Sequence, residues 1–292
     1  MKIQNLIKKL IKEQILLLES EDVIKHNLKI IMTKAWDDQS GSIYYSIFTG
    51  GLDISMFTQG MRPEDMDEED RKYVEEAKKE MKENVMGLIN NIEVLRSAKI
   101  VKPITGKSFG KVFKMSNGHI LKLFSDSLNV QEDLEWYKDN YDKMFLGTAN
   151  KNTLPIYDFG TIQTDEGQEL HYVEMAELMP LNKWIAHTGR GDDSKAIRAL
   201  SPLISFYEEV QHQAKKAGDK LSKEEAIHKT MLMIHHRRSS YQPLTMEEAE
   251  AILGAFWESE EAGWSLSDVA ARNLAVMTQS DPNNPTIIIF DR

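Results

Sequence analysis

The residues able to carry chemistry fall in a few separated places. Lys122 sits inside the apolar run His119-Ile120-Leu121-Lys122-Leu123-Phe124. Ser108 and Gly110 lie in the stretch Ile104-Thr105-Gly106-Lys107-Ser108-Phe109-Gly110-Lys111-Val112-Phe113. Asp268 and Asn273 are five positions apart in Asp268-Val269-Ala270-Ala271-Arg272-Asn273, and Asp291 follows the apolar Ile287-Ile288-Ile289-Phe290. Taken singly, each is commonplace. A lone lysine on a strand is usually solvated, and an Asp and an Asn at this spacing often occur by chance. Two other patterns are set aside: Gly106-Lys107-Ser108 imitates the end of a Walker A loop, but Val101 stands where that loop requires glycine. His235-His236-Arg237-Arg238 has no carboxylate or histidine at a metal-ligand spacing and reads as a solvated helix end, where cations oppose the negative pole.

Composition narrows the chemistry further. The 292 residues contain no cysteine, which removes disulfides, thiolate nucleophiles and cysteine zinc sites together. Lys+Arg 36 against Asp+Glu 46 gives a net charge of −10, which argues against a broad nucleic-acid surface. Met1 to Ser20 carries Ile3, Leu6, Ile7, Leu10, Ile11, Ile15 and Leu18 at helical spacing. Its interspersed lysines and glutamates exclude a transmembrane span or a signal peptide. A cytoplasmic protein is expected.

The texture of the chain divides it in three. Residues 1–97 read as a helical accessory domain, with runs at 1–20, at Glu21 to Trp36, and after Pro63, where acidic residues favour a helix start. From Ile100 the pattern becomes strand-like. Ser116-Asn117-Gly118 marks a tight hairpin, a helix is expected over Asn129 to Phe145 with an Asn129/Glu132 capping box, and two strands follow at Leu154 to Ile162 and Leu170 to Met175. The order is β-β-β-α-β-β. After Pro180 helices are expected near 194–217, 222–238 and 245–262, then short strands at Leu274 to Met277 and Thr286 to Phe290.

In this order the pieces resemble the protein-kinase-like family, across about 98–185 and 245–292. The resemblance implies an α+β, bilobal kinase-like fold: an N-lobe at 98–180, and a C-lobe at 181–292 that is short after the metal-binding Asp, preceded by the helical domain 1–97. It also implies ATP and Mg²⁺ as cofactors. By that likeness Lys107, Ser108, Phe109, Gly110 and Val112 belong to the loop over the phosphates, although Thr105 and Lys107 stand where the family has its first two glycines. Lys122 corresponds to the phosphate-contacting lysine of the third strand, with Glu135 as its helix partner and Glu132 and Asp133 as alternatives. Ala176 would be the gatekeeper, and the Glu177 carbonyl and Met179 N–H would meet the adenine edge. Asp268 would face the attacking hydroxyl, and Asn273 and Asp291 would hold Mg²⁺. Leu266-Ser267 replaces the family's His-Arg, and Arg292 follows Asp291 where the family has Phe-Gly.

The resemblance thus implies a kinase, and the charged helices of 181–267, with Glu208, Glu209, Lys215 and Lys216 among their residues, read as a solvated surface that favours protein hydroxyls as acceptor and a protein substrate as partner. Phage-encoded protein kinases offer one compact likeness. A pseudokinase-like nucleotide-binding module and a small-molecule kinase are the alternatives, and the oligomeric state is left open.

Overall fold

The computed structural model describes residues 20–35, 66–104, 110–125, 130–149, 152–163, 169–189, 193–237, 239, 241–242, 244–261, 274–277 and 286–289. The protein is α+β, with two antiparallel sheets and eight helices among the described residues. The chain divides into two compact units: residues 1–132 with 157–175, and residues 133–156 with 176–292. No described helix is long and apolar enough to cross a membrane.

In the first unit, helix α1 (20–35) buries Asn27, Ile31 and Ala35 at four-residue steps. Helix α2 (Glu68–Asn91) begins where Asp67 and Asp70 form a reciprocal cap. The Asp70 N–H donates to the Asp67 carboxylate at 2.8 Å, and the Asp67 N–H donates back at 3.3 Å. Glu68 and Glu69 add negative charge at its positive pole. Its buried face, Val74, Ala77, Met81, Val85 and Leu88, keeps a period of three to four. Helix α3 (Glu93–Ser97) leads into strand β1 (Ile100–Ile104).

Strands β2 (Gly110–Met115) and β3 (His119–Ser125) form the expected hairpin. Gly118 takes a φ of 84°, which side-chain-bearing residues resist, and the Asn117 side chain accepts a hydrogen bond from the His119 N–H. Helix α4 (Val130–Phe145) comes next, then β4 (Ile156–Gln163) and β5 (Glu169–Ala176). The five strands lie in the order β1-β2-β3-β5-β4.

One face of this sheet and the N-terminal helices share a single core. Phe113, Met115, Leu121 and Leu123 cluster with Ile31, Met81 and Leu95, all 3% exposed or less. The change of texture at Ile100 is therefore a change of element type inside one packed unit. Among the described residues of the expected accessory domain 1–97, the buried apolar side chains that cluster do so in the same core as the sheet.

Asn27 fastens the two parts. It is wholly buried, donates to the Leu95 and Ala98 carbonyls at 2.9 and 2.8 Å, and accepts from the Ile100 N–H at 2.7 Å. Truncation strands a buried N–H and two carbonyls, and each unsatisfied buried group costs about 1–3 kcal/mol. Asn27→Ala is expected to destabilise the protein by about 2–4 kcal/mol in denaturant titration. A midpoint unchanged from the parent would show that the clamp contributes nothing.

The second unit holds α4 and then β6 (Leu178–Pro180), α5 (Leu181–His187), α6 (Asp193–Ala217), α7 (Lys223–His236), α8 (Met246–Glu261), β7 (Leu274–Met277) and β8 (Ile287–Ile289). Capping boxes at Ser222/Glu225 and Thr245/Glu248 start α7 and α8. Leu181, Leu203, Tyr207, Phe256, Leu274 and Ile287 belong to its core. The last strands make a second sheet in the order β6-β7-β8.

Candidate functional site

Strand alternation decides which side chains share a face with Lys122. Val112 pairs directly with Lys122 in the β2–β3 ladder, so both stand on the face opposite Phe113 and Leu123. The N-terminal helices cover one face of the sheet, and Lys122 and Val112 lie on the other. Lys122 is half-buried, and its ammonium sits 5.2 Å from the centroid of the Phe124 ring. Phe124 in turn approaches the buried His171 of β5, whose Nδ1 is 2.8 Å from Thr161 Oγ1.

One of the expected assignments, the adenine donor, does not fit. Glu135 lies on the exposed side of α4, where Tyr137 and Asn140 are the buried positions. The side chains of Glu132 and Asp133 lie outside the described residues. Met179 is the correction. Strand β6 pairs with β7 through Leu178↔Met277, Met179↔Val276 and Pro180↔Ala275. Proline has no N–H, so Pro180↔Ala275 is a pair that exchanges no hydrogen bonds. Alternation then makes Met179↔Val276 the pair that does. The Met179 N–H is committed to the ladder and is not a free donor for adenine.

Ala176 ends β5, buried, with its N–H donating to the Pro155 carbonyl at 3.0 Å, and Glu177 is half-buried between β5 and β6. Gly110 opens β2. Lys107, Ser108, Phe109, Asp268, Asn273 and Asp291 lie outside the described residues, as do Asn129 of the expected cap and the turn Asp165-Glu166-Gly167. The elements flanking the last three are described. Leu274, which follows Asn273 in the chain, pairs with Ile289, two residues before Asp291.

Several polar clusters carry no motif in the sequence. His119 Nδ1 lies 2.5 Å from Glu174 Oε1 on a neighbouring strand, and the His119 ring stacks on Tyr157 with centroids 3.9 Å apart. Burial, and then the Glu174 carboxylate, push the Tyr157 phenol above its ordinary pKa. In the second unit the wholly buried Tyr207 donates to Glu260 at 2.9 Å and accepts from Gln211 at 2.9 Å. Burial raises the pKa of both Tyr207 and Glu260. Such pairings join residues tens of positions apart, which spacing along the chain cannot reveal. No cluster of three or more His, Asp or Glu suited to a metal occurs among the described residues.

No protein-family model matches the chain, and no curated protein matches it significantly.

Proposed function

We propose that this protein is an ATP- and Mg²⁺-dependent phosphotransferase that transfers to hydroxyl groups of a protein substrate. The observation that carries the reading is the first sheet. Three antiparallel strands, a helix and two more strands, in the spatial order β1-β2-β3-β5-β4, put a lysine at the middle of the third strand, beside Val112 and away from the helix-covered face. A kinase-like N-lobe needs that order and that lysine. The β7–β8 ladder gives secondary support. Leu274 pairs with Ile289, so the described residues nearest Asn273 and Asp291 along the chain are cross-strand neighbours.

In this reading ATP supplies the phosphoryl group and Mg²⁺ offsets its charge. Lys122 neutralises phosphate oxygens, Asn273 and Asp291 hold the metal, and Asp268 orients the acceptor hydroxyl and takes its proton. Catalysis is then positioning and electrostatics. The described residues suit a nucleotide at Lys122 and Val112 and do not supply the adenine donor expected at Met179. That committed N–H favours a second reading: a pseudokinase-like module that holds nucleotide without transferring phosphate.

Binding is tested first. ATP with Mg²⁺ at millimolar concentration is expected to raise the melting temperature, since a ligand that binds only the folded state stabilises it. The shift should vanish with EDTA and in Lys122→Met. An unchanged melting curve of the parent protein, or an undiminished shift in Lys122→Met, removes the nucleotide site. Transfer is then read with γ-labelled ATP in cell lysate, with label counted separately in protein and in the acid-soluble fraction. Label confined to metabolites would overturn the protein-substrate reading.

A further inference from the structure

Lys122 carries its charge on a flexible four-carbon stem, and a phosphate contact requires that the ammonium be held in one place. Phe124, the next residue but one, shares its face of β3, because side chains alternate along a strand. The Phe124 side chain is 3% exposed, which leaves its ring little room to move, and the Lys122 ammonium lies over that ring at 5.2 Å from the centroid. An ammonium is drawn to the negative face of an aromatic ring, the more strongly where water is excluded. An aliphatic residue at 124 would fill the same apolar position; only an aromatic one offers the charge a face.

The ring is itself braced. The Phe124 and His171 ring centroids are 5.6 Å apart with the planes tilted by 46°, and His171 is buried with its Nδ1 2.8 Å from Thr161 Oγ1. A buried imidazole needs a polar partner, and Thr161 provides one. Strands β3, β5 and β4 are neighbours in the sheet, so Lys122, Phe124, His171 and Thr161 form a row across three adjacent strands. On the other side, the residue directly opposite Phe124 in β2 is Gly110. Glycine brings no side chain to that position, so β2 places nothing of its own across from the ring there.

We propose that Phe124 is a positioning residue for Lys122: its ring, braced by His171, holds the ammonium where the phosphate oxygens of a bound nucleotide meet it. The proposal rests on the nucleotide reading given above, and Phe124 acts only through Lys122. It adds to that reading a residue with no charge and no hydrogen-bonding group, whose contribution is to fix a charge before the ligand arrives.

The test uses NMR of the full chain carrying isotope-labelled lysine, in which the loss of one ε-methylene signal in Lys122→Met identifies that of Lys122. Without ATP, this signal is expected upfield of the other lysines, because the ring current shields it. Phe124→Leu should return it to their range, whereas Phe124→Tyr, which keeps the ring, should leave it in place. In calorimetry ATP with Mg²⁺ should bind Phe124→Leu about fivefold more weakly than the parent, and Phe124→Tyr as tightly as the parent. Should Phe124→Leu fail to fold, Phe124→Met is read in its place. A ring that only fills space in the sheet would leave the Lys122 signal among the others. A signal that Phe124→Leu does not move, an undiminished ATP affinity in that variant, or a loss of both in Phe124→Tyr as complete as in Phe124→Leu would overturn the proposal. A parent protein that binds no ATP would remove the nucleotide reading itself, and this proposal with it; failure of the proposal alone is recognised by ATP binding that needs Lys122 and ignores Phe124.

Discussion

Removing residues 1–97 is expected to leave a chain that aggregates on expression, whereas the full chain stays soluble. Phe113, Met115, Leu121 and Leu123 of the first sheet are all 2% exposed or less, in a core they share with α1, α2 and α3. Burying an apolar side chain of this size contributes roughly 1.5–3 kcal/mol. Four together approach the whole stability of a typical domain, about 5–15 kcal/mol. The deletion also removes Asn27, the partner of the Ile100 N–H. A soluble 98–292 fragment with a cooperative melt and an unchanged response to ATP would show that the sheet needs no helical cover. Replacing Met81, wholly buried in α2, separates packing from folding in general. Met81→Asp should reproduce the aggregation, and Met81→Leu should not.

Local chemistry made much of the fold legible. Asn117-Gly118 specifies a hairpin because only a few residues tolerate positive φ, and Gly118 has it. The apolar period between Val74 and Leu88 marks α2, and the expected helices near 194–217, 222–238 and 245–262 correspond to α6, α7 and α8 within a few residues. What the chain pattern could not supply was partnership between elements. A helical stripe and a strand's apolar face each demand cover without naming what covers them, so the single core of α1, α2 and the sheet looked like two. Asn27 reads as an ordinary polar residue until the backbone groups 68 to 73 positions away are placed around it. Of the candidate site, the surroundings of Lys122 were legible in the same way. Strand alternation set Lys122 beside Val112, a local consequence of the hairpin register. The Met179 donor was misjudged because ladder phase depends on neighbours that spacing does not contain.

If the phosphotransfer reading holds, Asp268→Asn should abolish transfer while leaving nucleotide binding intact. A carboxylate that accepts the hydroxyl proton acts in the transition state, and general-base catalysis contributes about 10²–10⁴-fold. The amide keeps the shape and the hydrogen-bonding reach but loses the basicity. Metal ligation acts already in the ground state, so Asp291→Asn should weaken both the ATP thermal shift and the label incorporated. The contrast between the two variants is the informative quantity, because misfolding would remove both signals in either one. Equal loss of binding in both variants would place Asp268 among the metal ligands. Full transfer by Asp268→Asn would eliminate it as the base. A parent protein that binds ATP with Mg²⁺ yet labels nothing, with Asp268→Asn indistinguishable from it, would establish the pseudokinase-like reading. That outcome would agree with the one geometric departure, the Met179 N–H committed to Val276.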